Sequence, residues 1–131
     1  MKRILVVDDS PTIRRMVRAS LARFFPNVEF LEAASGLEAI ERLAISAVGL
    51  VVLDLNMPDM HGLEVLQFIR SHQKYRQTPI IVLTTRGDEN SRSAAMQAGA
   101  SMYMTKPFTP DALGREARKL FGADDGLTAS A

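Results

Sequence analysis

The chain has 131 residues, a formal net charge of +1 and no cysteine. That length favours one domain, and the near-neutral charge gives no global pull toward nucleic acid or an anionic membrane. Without cysteine there are no disulfides, thiolate metal sites or cysteine nucleophiles, which suits a reducing compartment. The amino-terminal apolar run Ile4–Val7 is too short for a signal-peptide core and is broken by Asp8 and Asp9. The apolar, uncharged stretch Leu43–Leu53 falls far short of the ~18 residues of a membrane span. The expectation is a soluble, cytoplasmic protein.

In chain order, "RILVV" (Arg3–Val7) reads as a strand buried on both faces. Ser10 then caps a helix with Pro11 at its first position. Ile13, Met16, Val17, Leu21 and Phe24 fall on its inner face, and Arg14, Arg15, Arg18 and Arg23 lie largely off it. Those arginines read equally as a solvated face or as a dock for an acidic partner. Pro26 and Asn27 stop this helix. Val28–Ala33 alternates like an edge strand. Ser35 caps a second helix with Glu38 at the capping-box position and Leu37, Ile40 and Ala44 inward.

"GLVVLD" (Gly49–Asp54) is the third strand. A third helix runs from Gly62 to about Ser71, with Leu63, Leu66 and Ile69 inward. "IIVLTT" (Ile80–Thr85) is a fourth buried strand. Asp88–Gly99 is a helix whose apolar face is mostly alanine and Met96, so it buries little area and is expected to be mobile. Ser101–Thr105 is a short fifth strand. Thr109 and Pro110 open a last helix with Leu113, Ala117, Leu120 and Phe121 inward, although Gly114 costs it about 1 kcal/mol relative to alanine. The small, polar tail 122–131 is expected to be disordered, leaving a single domain over 1–121.

Strict alternation of strands and helices implies a doubly wound α/β sandwich: a parallel sheet, helices on both faces and right-handed crossovers. In such a sheet, side chains at the carboxyl ends of the strands collect at one edge, where ligands bind. Here that edge receives Asp8 and Asp9 from strand one, Asp54 from strand three, Thr84 and Thr85 from strand four, and Lys106 after strand five. Singly each has an ordinary reading. An aspartate pair suits a helix start, Asp54 can begin a turn, and Lys106 can be a solvated lysine before proline. Together they are harder to dismiss. Three clustered carboxylates oppose folding unless a cation intervenes, and one lysine cannot neutralise them. A hard divalent cation such as Mg²⁺ can. A carboxylate beside that cation can attack phosphorus, which points to reversible aspartyl phosphorylation.

"VVDDS", "VVLDLNMPDMHG", "IIVLTT" and "YMTKPF" resemble the four signatures of the response-regulator receiver family. The likeness spans Lys2 to about Phe121, and is greatest to single-domain, chemotaxis-type (CheY-like) receivers. It implies a flavodoxin-like (βα)5 fold with strand order 2-1-3-4-5. It also implies roles. Asp54 would accept a phosphoryl group from a histidine kinase or histidine phosphotransfer domain. Asp9, Asp54 and the Asn56 backbone carbonyl would bind Mg²⁺ (Mn²⁺ substituting), with Asp8 helping through water. Lys106 would pair with the phosphoryl group, and Thr84 and Tyr103 would form the switch. The Lys106–Pro107 bond would be cis, and the helix 4–strand 5–helix 5 face would signal to a protein target. The implied protein is a monomer or weak dimer with no nucleic-acid partner and no turnover of a separate substrate.

Thr85 stands where the family often has alanine, and Asn56 and Arg86 stand where the family tunes phosphoryl lifetime. Asp59 reads as a turn residue, and His61 and His72 as solvated loop or helix-end residues without metal-ligand spacing. Three rival readings remain. An aspartate-nucleophile phosphatase needs a second acid where this chain has Asn56. A binding module that lost phosphorylation would not need the full residue set. A fragment of a larger regulator would read the same.

Overall fold

The computed structural model describes residues 2–57 and 60–120. The expectations for Asp59, for Phe121 and for the 122–131 tail lie outside the described residues. Within them, β1 (Arg3–Val7), α1 (Pro11–Ala22), β2 (Glu29–Ala33), α2 (Gly36–Ile45), β3 (Leu50–Leu53), α3 (Gly62–Ser71), β4 (Ile80–Thr84), α4 (Glu89–Gln97), β5 (Met102–Thr105) and α5 (Pro110–Leu120) alternate as expected. The strands form one parallel sheet in the order β2-β1-β3-β4-β5.

Strands without polar alternation must be covered on both faces, and these are. Ile4, Val6, Leu50, Val52, Ile81 and Leu83 pack with Val17, Leu21 and Phe25 of α1 and its end, and with Leu113 and Ala117 of α5. Their neighbours Leu5, Val7, Val51, Leu53, Ile80 and Val82 pack against Ala39 and Leu43 of α2, Val65, Leu66 and Ile69 of α3, and Ala95 of α4. β2 is an edge strand and only its last residue, Ala33, is buried.

The local signals act where expected. Ser10 Oγ accepts the Ile13 N–H, Ser35 Oγ the Glu38 N–H, and Thr109 Oγ1 the Ala112 N–H. Glu38 reaches back to the Ala34 N–H rather than to that of Ser35. His61 is the N-cap of α3: its Nδ1 accepts the Leu63 N–H while Glu64 accepts the His61 N–H. The Lys106–Pro107 bond is cis.

Three inner faces differ from expectation. In α2 the buried side is Gly36, Ala39 and Leu43, while Leu37 is 58% exposed, Ala44 is exposed and Ile40 is half-buried. The helix is turned so that Gly36, Ala39 and Leu43 face inward, with Gly36 against Met60 and Val65. Met16 of α1 and Met96 of α4 are exposed, at 46% and 39%. α1 instead buries Ser20, whose hydroxyl donates to the Met16 carbonyl. Α4 buries Ala95 alone.

Gly114 faces α1, where a Cβ would stand 2.1 Å from the Phe24 ring. The residue that weakens α5 as a helix is what lets it pack there.

Candidate functional site

Register builds the site. Val7 pairs with Leu53, and the Asp54 N–H donates to the Val7 carbonyl at 3.0 Å. Asp8 and Asp54, the next residue on each strand, therefore emerge side by side. On the other flank Thr84 pairs with Thr105, and the Lys106 N–H donates to the Thr84 carbonyl. Lys106 is thus delivered to the same edge from β5. Gly62 brings in the start of α3. A Cβ there would lie 2.5 Å from Leu55 Cα and 2.6 Å from the Asp54 carbonyl, so only glycine allows that approach.

Asp8 and Asp54 are buried, at 3% and 5% exposure, while Asp9 is exposed. One carboxylate oxygen from each of the three lies within 4.8 Å of the others. Lys106 Nζ donates to Asp8 Oδ2 at 2.7 Å and sits 3.7 Å from Asp54 Oδ2. Asp8 Oδ1 accepts the Ser10 N–H. Burial pushes the Asp54 carboxyl above the usual carboxylate range. Lys106 and the Asn56 N–H pull it back down, while Asp8 and Asp9 push it further up.

Three carboxylates against one ammonium leave a formal charge of −2 at a half-buried site. The donors are all oxygen. That set suits a hard divalent cation in charge and chemistry. No other group of three such side chains among the described residues is close enough to hold a metal.

Thr84 is fully buried behind the site, and its Oγ1 accepts the Arg86 N–H at 3.3 Å. Thr85 is exposed. Tyr103 is 8% exposed and packs in the core, with its hydroxyl donating to the Arg86 carbonyl at 2.5 Å. Burial holds that phenol above its usual range. Arg86 also donates from Nε to Asn56 Oδ1 at 3.0 Å, which joins the loops after β3 and β4. The structure thus brings Asp8, Asp9, Asp54, Asn56, Thr84, Arg86, Tyr103 and Lys106 to one end of the sheet. His61 and His72 stay outside as the exposed caps of α3.

Sequence reasoning missed Arg14. It does not stand on a solvated face. Its Nε donates to Glu32 Oε1 at 2.7 Å and its Nη1 to the Asp8 carbonyl at 2.6 Å. Arg18 joins it on Glu32 at 2.6 Å, and Arg23 lies 3.8 Å from Asp111. The hint was an acid on the alternating edge strand β2, which had no assigned partner.

A family model described as "Response regulator receiver domain" matches residues 4–118. The chain is 38% identical over 124 residues to the chemotaxis protein CheY1 of Helicobacter pylori (strain ATCC 700392 / 26695), covering 94% of this chain and 99% of that protein. It is 38% identical over 125 residues to the chemotaxis protein CheY homolog of Campylobacter jejuni subsp. jejuni (strain 81-176), covering 95% of each. Among solved structures, the chemotaxis response regulator CheY4 of Vibrio cholerae superposes with a TM-score of 0.84 at 32% identity, over 92% of this chain and 99% of that one. The Mn(2+)-bound form of response regulator Rcp1 superposes with a TM-score of 0.82 at 26% identity, over 94% and 96%.

Proposed function

The chain belongs to the response regulator receiver domain family, and we propose that it is a stand-alone, chemotaxis-type regulator that accepts a phosphoryl group on Asp54. The observation that carries the reading is Asp54 itself: a carboxylate 5% exposed, beside two further acids and within 3.7 Å of a lysine. Burial strips water from that nucleophile, and the rigid end of β3 aims it.

The donor is the phosphoimidazole of a histidine kinase or phosphotransfer domain. An Asp54 carboxylate oxygen bonds to phosphorus as the P–N bond breaks, and the imidazole leaves with its electron pair. Asp8, Asp9, Asp54 and the Asn56 carbonyl would hold Mg²⁺, or Mn²⁺ in its place, and that cation supplies positive charge against the phosphoryl oxygens. Lys106 leaves its shared position between Asp8 and Asp54 to pair with the added group. The buried Thr84 hydroxyl, freed from the Arg86 N–H, donates to a phosphoryl oxygen. Tyr103 holds the Arg86 carbonyl, so a shift in that loop reaches the ring and the surface of α4, β5 and α5. That surface is the proposed contact for a downstream protein target. No turnover of a separate substrate is expected.

Incubation with Mg²⁺ and a small phosphodonor, followed by intact-mass measurement, tests this. One phosphoryl adduct is expected, absent in Asp54→Asn. No adduct, or an adduct indifferent to that substitution, would sink the reading. Lys106→Ala should fail to signal even where phosphate is accepted, and a variant that signals normally contradicts the lysine's role. Multiple turnover of phosphomonoesters would revive the phosphatase alternative.

A further inference from the structure

The three acids of the site are not held alike. Asp8 is gripped by Lys106 and by the Ser10 N–H. Asp54 is buried and lies 3.7 Å from Lys106 Nζ. Asp9 is exposed, and among the described residues nothing donates a hydrogen bond to its carboxylate. The direction of Asp9 is therefore set by its backbone.

Arg14 holds that backbone. Its side chain is 15% exposed, and its Nη1 donates at 2.6 Å to the Asp8 carbonyl, the oxygen of the peptide joining Asp8 to Asp9. The other end of the guanidinium is fixed by Glu32 at 2.7 Å. Glu32 is fixed in turn by Arg18, while Arg42 donates to the Glu32 carbonyl at 3.2 Å. A planar guanidinium with both edges engaged is a stiff strut from β2 to the start of the β1–α1 loop.

We propose that Arg14, oriented by Glu32, is a positioning residue for the divalent-cation site: it sets the Asp8–Asp9 peptide plane and with it the approach of the Asp9 carboxylate. This rests on the metal-dependent phosphoacceptor reading above. Arg14 has no lone pair to offer and is no ligand. Its charge, acting alone, repels the cation. Three roles then differ in sign. Positioning predicts weaker cation binding when Arg14 is lost, bare electrostatics predicts tighter binding, and a scaffolding role predicts lower stability with unchanged affinity.

Calorimetric titration of the metal-free full chain with Mg²⁺ separates them, using Arg14→Met, Arg14→Lys and Glu32→Gln. Arg14→Met should raise Kd about tenfold, the lower end for residues that orient metal ligands. Arg14→Lys should recover part of the loss, because one ammonium donor can still reach the Asp8 carbonyl. Glu32→Gln should raise Kd about threefold, the scale of one partly exposed charge pair. Backbone ¹⁵N relaxation in the metal-free protein should show the Asp9 and Ser10 amides gaining motion in Arg14→Met. Unchanged or tighter Mg²⁺ binding in a folded Arg14→Met overturns the proposal. If that variant does not fold, Arg14→Lys decides, because it keeps the charge: weakened Mg²⁺ binding supports positioning and unchanged binding overturns it. A wild type that binds Mg²⁺ but forms no adduct overturns the phosphoacceptor reading alone. A wild type that binds no Mg²⁺ overturns both.

Discussion

Burial and charge pull Asp54 in opposite directions, and the conflict has a measurable sign. Its carboxyl is held above the usual range in the folded chain, so the folded state binds the proton more tightly than the unfolded state does. Stability then falls as pH rises from the ordinary carboxylate range through the folded value of Asp54. Asp54→Asn removes that fall. In Mg²⁺-free buffer the variant should be more stable than wild type near neutral pH by about 1 kcal/mol, the usual scale of a single-site change. The difference should shrink on acidification, where both chains carry a neutral group. Urea denaturation across that pH range checks it, and a constant difference would contradict it. Lys106 shows the opposite effect. Its ion pair with Asp8 is short and both partners are largely buried, at 12% and 5% side-chain exposure. Lys106→Met leaves the acids without the one cation paired with them among the described residues and should cost about 3 kcal/mol in metal-free buffer. Mg²⁺ should restore more stability to this variant than it adds to wild type, because the lysine no longer competes for the same oxygens.

Elements were legible to the extent that one residue type decided them. Caps and prolines marked the starts of α1, α2 and α5, and unbroken apolar runs marked the three central strands. Inner faces were less legible, because size competes with hydrophobicity. In α2 the larger Leu37 suggested the inner side, yet the buried positions are Gly36, Ala39 and Leu43, with Gly36 set against Met60 and Val65 at the start of α3. A Cβ on Gly36 would already meet Met60 Cβ at 2.7 Å. The same competition explains Gly114, which helix propensity marks as a defect. Gly114→Ala improves propensity by about 1 kcal/mol, but sets a methyl against the Phe24 ring. The clash should win, with a net loss of about 2 kcal/mol read by urea denaturation, since overpacking a fixed interface costs about 1–3 kcal/mol or more. Α4 makes the converse point. It buries only Ala95, whereas α3 buries Val65, Leu66 and Ile69. Native-state amide exchange in Glu89–Gln97 should accordingly outpace that in α3 on the order of tenfold or more.

At the scale of the molecule, the site exists because the topology gathers distant residues. Lys106 and Asp8 are 98 residues apart in sequence and 2.7 Å apart in space. Parallel strands made that convergence readable: once the alternation is recognised, every strand must end at the same edge. The strut from Glu32 through Arg14 was not readable, because which helix arginine meets which edge-strand acid depends on crossover geometry that no local pattern encodes. Gathered charge also couples the site to global stability. The metal-free fold bears a formal −2 among Asp8, Asp9, Asp54 and Lys106, and a bound divalent cation removes that repulsion only in the folded state. Binding that excludes the unfolded chain stabilises by RT ln(1 + [L]/Kd), about 2.7 kcal/mol at a hundredfold excess over Kd. For a chain of this length that is a rise in Tm of ~10 °C. MgCl2 should produce that rise, and KCl at matched ionic strength should not. Asp54→Asn and Asp9→Asn should each lose most of it, and Arg14→Met should need a higher Mg²⁺ concentration to reach the same shift. A thermal midpoint indifferent to Mg²⁺ would mean that the three carboxylates settle their repulsion without a metal, through protonation of Asp54 and the Lys106 pair alone.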